Sequence, residues 1–215
     1  MAFIVTFASQ KGGVAKSTLS QATAVELLKS GLTVKIADYD FRQHTSADWA
    51  NDRIEDPKKT VVPVQTYRTL SEALRDAALY DVLIIDAPGH SGEHFLTLAR
   101  SVDLLIQPTG GSKADLRPAI REFHELVKQG VPRDKLSLIL SRMRKDTEEE
   151  AAKFYIQEAG YTLIDGALRD KLAYALAMDA GAAVTEVSGK KMREEAQAAV
   201  RAIVDLILSR LEVAA

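Results

Sequence analysis

The chain has 215 residues, 28 Lys and Arg against 30 Asp and Glu, a formal net charge of -2, 47% apolar residues and no cysteine. This length supports one substantial core, and the missing cysteines exclude disulfides, thiolate metal sites, iron–sulfur clusters and cysteine nucleophiles. No apolar run approaches the roughly 18 residues that span a bilayer, no signal peptide opens the chain, and the near-neutral charge leaves room only for a local nucleic-acid patch, so a cytoplasmic protein is expected.

In chain order, β-branched apolar runs predict buried strands at Phe3 to Phe7, Thr33 to Ala37, Val61 to Val64, Val82 to Ile85, Leu104 to Ile106 and Leu136 to Leu140. Helical spacing falls at Leu19 to Leu28, Leu70 to Leu79, Phe95 to Ala99, Ile120 to Val127, Ala151 to Ala159 and a last helix of about Lys190 to Leu211. The alternation predicts an α/β fold, a mainly parallel twisted sheet with helices on both faces, in a single domain spanning 1–215. Ligands of such sheets sit at the carboxyl ends of the strands, which directs attention to the loops after Phe7, Ala37, Ile85 and Ile106.

The first of these loops reads Ser9, Gln10, Lys11, Gly12, Gly13, Val14, Ala15, Lys16, Ser17, Thr18 and runs straight into a helix. Adjacent glycines let backbone N–H groups turn toward an anion, and the helix N-terminus adds partial positive charge. Lys16 supplies a point charge for terminal phosphates, and the Ser17 hydroxyl suits Mg²⁺. The pattern G-x-x-x-x-G-K-[ST] is not met literally, because Gln10 and Ala15 stand where its glycines would be. After the second strand come Asp38, Tyr39, Asp40, Phe41, Arg42 and Gln43; strict alternation would point the two carboxylates to opposite sides unless the chain bends. Val82 to Ile85 then delivers Asp86, followed by Ala87, Pro88 and Gly89. The string His90, Ser91, Gly92, Glu93, His94 matches H-x-x-E-H but lacks the helical context a zinc protease requires, and reads instead as part of a loop.

The loop resembles the deviant form K-G-G-x-G-K-[ST] of the ParA/MinD superfamily, in which a further lysine, here Lys11, precedes the glycines. The acidic segment resembles that family's D-x-D-P-Q, with Phe41 and Arg42 where one proline stands, and Asp86 with Ala87-Pro88-Gly89 resembles its magnesium-binding strand end and second switch. Softer likenesses are Gln107-Pro108-Thr109, Leu138 to Arg142, and Leu168 to Gly181. Most of the chain is similar to small ParA-type, ParF-like ATPases without an N-terminal helix-turn-helix.

The resemblance implies an ATPase using ATP and Mg²⁺. Nucleotide would be bound by Lys11, Gly12, Gly13, Val14, Ala15, Lys16, Ser17, Thr18 and Arg142, and metal by Ser17, Asp38 and Asp86. Lys11, Lys16 and Asp40 would serve catalysis, Asp40 by activating water. It further implies an ATP-dependent homodimer, nonspecific binding to DNA with nucleoid association, and a ParB-like centromere-binding partner in plasmid or chromosome segregation. The candidate DNA surface is two clusters, Arg142, Arg144 and Lys145, and Lys190, Lys191 and Arg193. Alternatives within the architecture are positioning of another cargo, a MinD-like membrane switch and an ATP-dependent synthetase; the acidic Glu212 near the chain end opposes the membrane reading, and Lys11 opposes the synthetase.

Overall fold

The computed structural model describes residues 2–40, 43–89 and 93–214. Its strands are β1 (Phe3–Phe7), β2 (Val34–Asp38), β3 (Val64–Thr66), β4 (Val82–Asp86), β5 (Leu104–Thr109), β6 (Leu136–Met143) and β7 (Thr162–Arg169). They form one sheet in the order β3-β2-β4-β1-β5-β6-β7, and every neighbouring pair is parallel. The helices are α1 (Lys16–Lys29), α2 (Thr45–Ile54), α3 (Leu70–Asp76), α4 (Glu93–Ser101), α5 (Lys113–Lys128), α6 (Asp146–Glu158), α7 (Leu172–Asp179) and α8 (Lys190–Ala214).

The two-residue period of each strand divides its side chains between two cores. Phe3, Val5 and Phe7 of β1, with Val82 and Ile84 of β4, pack against Leu19, Leu27, Trp49, Val200 and Ile203 from α1, α2 and α8. Leu83 and Ile85 of β4 face the other way, onto Phe95, Leu98, Phe123 and Ile156 from α4, α5 and α6. The central strands are mostly apolar on both sides because helices cover both faces.

The expected α/β class and the six expected strands are present, with one displacement. β3 begins at Val64, after Pro63, which has no N–H for the ladder; Val62 is buried but lies outside the strand. Two elements, α2 and β7, carry no clear signal in the sequence. The α2 segment, Thr45-Ser46-Ala47-Asp48-Trp49-Ala50-Asn51-Asp52-Arg53-Ile54, is too polar for its period to show, and it is held by side-chain contacts at both ends. Residues 172–179 form α7, within the stretch from Leu168 to Gly181 that resembles the family's late segment. The edge strand β7 carries Asp165-Gly166, a turn signal, and pairs with β6 through register shifts at Leu138/Leu140 and Ser141/Met143. Gly166, at φ +87, lies within the first of these shifts, and Arg142, at φ 57, within the second.

Candidate functional site

The phosphate loop leaves β1 and enters α1, with Gly13 at φ 69 and Ala15 at φ 68. Both lie in the left-handed region, which an alanine occupies only under constraint. The constraint comes from β6: the Ser141 hydroxyl donates to the Val14 carbonyl (3.0 Å) and Arg142 Nη1 to the Gly13 carbonyl (2.9 Å). Arg142 itself stands at φ 57 at the end of that strand. The loop carbonyls are thereby tied back toward the sheet, while the first N–H groups of α1 have no partner within the helix and suit an anion. A cavity of about 600 Å³ opens there, lined by Gly12, Gly13, Val14, Ala15, Lys16, Ser17, Thr18, Asp40, Gln43 and Gly89, among others. Burial lowers the pKa of Lys16 from its ordinary value, opposed by the carboxylates of Asp86 and Asp40. An incoming phosphate would stabilise the charged ammonium.

Asp38 and Asp86 end adjacent parallel strands and are register partners, so two buried carboxylates lie side by side. Burial pushes Asp86 up to about 6; the Ser46 and Ser17 hydroxyls and Lys16 oppose the shift, and Asp38 adds to it. Burial also raises Asp38, against three backbone N–H groups. Two of these belong to the start of α2, Ser46 N and Ala47 N, both 3.0 Å from Asp38 Oδ2; the third is Asp40 N, 3.1 Å from Oδ1. β2 has ended by then, so the chain bends at the point where strict alternation would have separated the two aspartates, and Asp40 lines the loop cavity. Ser46 Oγ donates to Asp86 Oδ2 at 2.7 Å and accepts from Gln21 Nε2 at 3.1 Å. Asp86 Oδ1 is buried with no hydrogen-bond partner among the described residues. An orphaned buried carboxylate oxygen beside the Ser17 hydroxyl, in a donor set of oxygens without sulfur, fits a hard, oxygen-ligated cation such as Mg²⁺.

Lys11 does not line this cavity. Its ammonium is ion-paired with Asp115 of α5, and its side chain is 53% exposed. Partial burial works against the Asp115 carboxylate, yet Lys11 and the Ser112 hydroxyl outweigh it and hold its pKa below the ordinary value. Lys11 and Asp115 share with Val14, Gly110, Arg142, Arg144 and Glu148 a second cavity of about 260 Å³. Arg142 therefore braces the loop from this side.

The two basic clusters are largely engaged within the chain. Arg144 pairs with Asp170 at 3.1 Å, Lys190 with Glu194 at 3.9 Å, and Arg193 Nη1 donates to the Val187 and Ser188 carbonyls. Lys145 stands at the N-cap of α6, and Lys191 is exposed in the first turn of α8.

Phe41, Arg42, His90, Ser91 and Gly92 lie outside the described residues, so the unusual acidic loop and most of the H-x-x-E-H string have no structural account. Among the described residues no group of three or more His, Asp or Glu could hold a metal ion by itself, and no helix is long and apolar enough to cross a membrane. Ser46, Gln21 and Asp115 were not singled out in the sequence. Asp115 is far from Lys11 in the chain, and Ser46 belongs to the unread α2.

The family model described as ATPase MipZ matches residues 3–118. A comparison with curated proteins finds no match. The fold is shared with a putative plasmid partition protein from Borrelia burgdorferi bound to AMPPNP, at 18% identity and a TM-score of 0.70, covering 98% of this chain and 100% of that one. It is shared also with the septum site-determining protein MinD from Pyrococcus horikoshii complexed with Mg-ADP, at 17% identity and a TM-score of 0.73, covering 94% of each chain. MinD of the MinC:MinD cell division complex from Aquifex aeolicus gives a TM-score of 0.75 at 15% identity, covering 95% of this chain and 96% of that one.

Proposed function

Because the chain belongs to the ATPase MipZ family, within the ParA/MinD superfamily of positioning and partition ATPases, we propose that it is an ATP-driven switch that dimerises around nucleotide. The observation that carries this reading is the pair of lysines in one loop: Lys16 lines the phosphate cavity, whereas Lys11 lies outside it, half exposed and held by Asp115. A lysine that does not serve its own loop is suited to the phosphates of a second protomer.

In this reading the loop N–H groups and Lys16 hold the β and γ phosphates, and Ser17, Asp38 and Asp86 form the carboxylate and hydroxyl side of the metal site. Magnesium bound there would neutralise phosphate charge during transfer. Asp40, at the cavity rim, orients and deprotonates the attacking water. The cargo proposed is plasmid or chromosomal DNA, engaged with a ParB-like centromere-binding partner and by nonspecific contact with Lys145, Lys191 and neighbouring basic residues. A protein cluster as cargo is the second reading, favoured by the ion pairs that already occupy Arg144 and Lys190.

Two variants test the division of labour. Lys16→Ala abolishes ATP binding in calorimetric titration with Mg²⁺, because the phosphates lose the one cationic side chain among the described residues that line the loop cavity. Lys11→Ala binds ATP as a monomer, fails to dimerise in light scattering, and loses any salt-sensitive DNA affinity. A Lys11→Ala protein that dimerises normally on ATP refutes the cross-dimer switch.

A further inference from the structure

Ser46 links both strand-end carboxylates. Its backbone N–H is spent on Asp38 Oδ2 and its one hydroxyl proton on Asp86 Oδ2. The hydroxyl oxygen accepts from Gln21 of α1, and all of these groups are buried. A carboxylate with one oxygen engaged cannot rotate about its Cβ–Cγ bond without losing that hydrogen bond, so Ser46 determines which Asp86 oxygen remains without a partner. That oxygen is Oδ1.

We propose that Ser46 is a positioning residue for the metal site, fixing Asp86 so that Oδ1 is presented to the Mg²⁺ that accompanies nucleotide, and that through it α2 registers whether the metal is in place. This deepens the reading of the site as a holder of Mg²⁺ and nucleotide and rests on it.

The far end of α2 is fixed as firmly as its start. Trp49, one helical turn from Ser46, donates from Nε1 to the Ala182 carbonyl at 3.2 Å. Arg53, only 1% exposed, donates to the Thr60 and Gly181 carbonyls and makes a bidentate pair with Glu186 at 2.7 and 2.9 Å. A rigid helix clamped at both ends carries a small displacement of Ser46 to the segment that precedes α8. The chain's single tryptophan lies on that path.

The test is a Mg²⁺ titration of wild type, Ser46→Ala and Ser46→Thr, each with saturating ADP, followed by calorimetry and by Trp49 fluorescence. Removing a partner that orients a metal-holding carboxylate weakens metal affinity on the order of 10-fold. Ser46→Ala is expected to need about tenfold more Mg²⁺ and to lose the Mg²⁺-dependent fluorescence change, while its ADP affinity in EDTA equals that of wild type. Ser46→Thr, which keeps the hydroxyl, is expected to restore the wild-type requirement; if it does not fold, the alanine variant still decides. Wild-type Mg²⁺ affinity in Ser46→Ala overturns the positioning role, and equal loss of ADP affinity with and without Mg²⁺ overturns it in favour of a purely structural serine. A wild-type protein that takes up neither ADP nor Mg²⁺ instead overturns the reading of the site beneath it.

Discussion

Ala15 concentrates the residue-scale physics of the site. The family pattern has glycine there, and the backbone at φ 68 shows why. An alanine in the left-handed region pays roughly 1–2 kcal/mol, more than the roughly 0.5–1 kcal/mol of chain entropy that glycine forfeits. The Ser141 and Arg142 hydrogen bonds to the loop carbonyls hold the conformation against that strain. Ala15→Gly is therefore expected to raise stability by about 0.5–1 kcal/mol, seen as a rise of about 2 °C in thermal midpoint; a fall would show that the alanine is unstrained. Lys16 and Asp86 were legible from the sequence because each follows a strand within a recognisable motif. Ser46 was not, since its importance depends on Asp86, 40 positions away.

At the scale of elements, α2 is the informative case. Its sequence has no apolar stripe strong enough to announce a helix, and nothing local explains the buried Arg53. The explanation is close backbone approach. A Cβ placed on Gly181 would come within 2.4 Å of the Arg53 backbone nitrogen, and Gly181 sits at φ +66. Only glycine lets the segment after α7 lie directly on α2 and present its carbonyl to the guanidinium. Gly181→Ala combines a steric clash with backbone strain and is expected to cost about 2–4 kcal/mol, measured as a lowered midpoint in urea with an unchanged slope. A substitution tolerated within 0.5 kcal/mol would mean that the two segments separate readily. Burying a charge is unfavourable unless it is fully paired, and Arg53 meets that condition through Glu186 and two carbonyls.

For the whole molecule, the pH dependence of stability follows from carboxylates buried between sheet and helices. Glu122 of α5 is 8% exposed, and its Oε2 accepts from Gln107 at 2.5 Å while Oε1 has no hydrogen-bond partner among the described residues. Burial pushes its pKa up to about 7, against the Gln107 amide and the Gln10 backbone N–H. A carboxyl whose folded pKa is raised keeps its proton more tightly in the native state, so its contribution is fullest in acid and is lost as pH climbs from the ordinary carboxylate value through about 7. The loss is on the order of 2–3 kcal/mol by pH 8. Glu122→Gln should flatten this decline: comparable to wild type at pH 5 and more stable by about 2 kcal/mol at pH 8, in denaturant melts without nucleotide. Asp86 titrates in the same direction in both proteins and cancels from the difference. Identical pH profiles would show that Glu122 is hydrated in solution.

The sequence by itself determined the mainly parallel sheet, the positions of its main strands along the chain and the loop that meets the first helix, because each is written locally: buried parallel strands are continuous apolar runs, and a phosphate loop is a contiguous string. It also showed two lysines in one loop. Only the tertiary structure decided that they occupy different cavities, since the partner that draws Lys11 outward is Asp115, which reaches it from another helix. Asp38 and Asp86 likewise become neighbours only when β2 and β4 pair, and Ser46 reaches them only when α2 folds back across the strand ends. Contacts between residues so far apart in the chain depend on strand order and helix docking, which the burial of two separate cores decides.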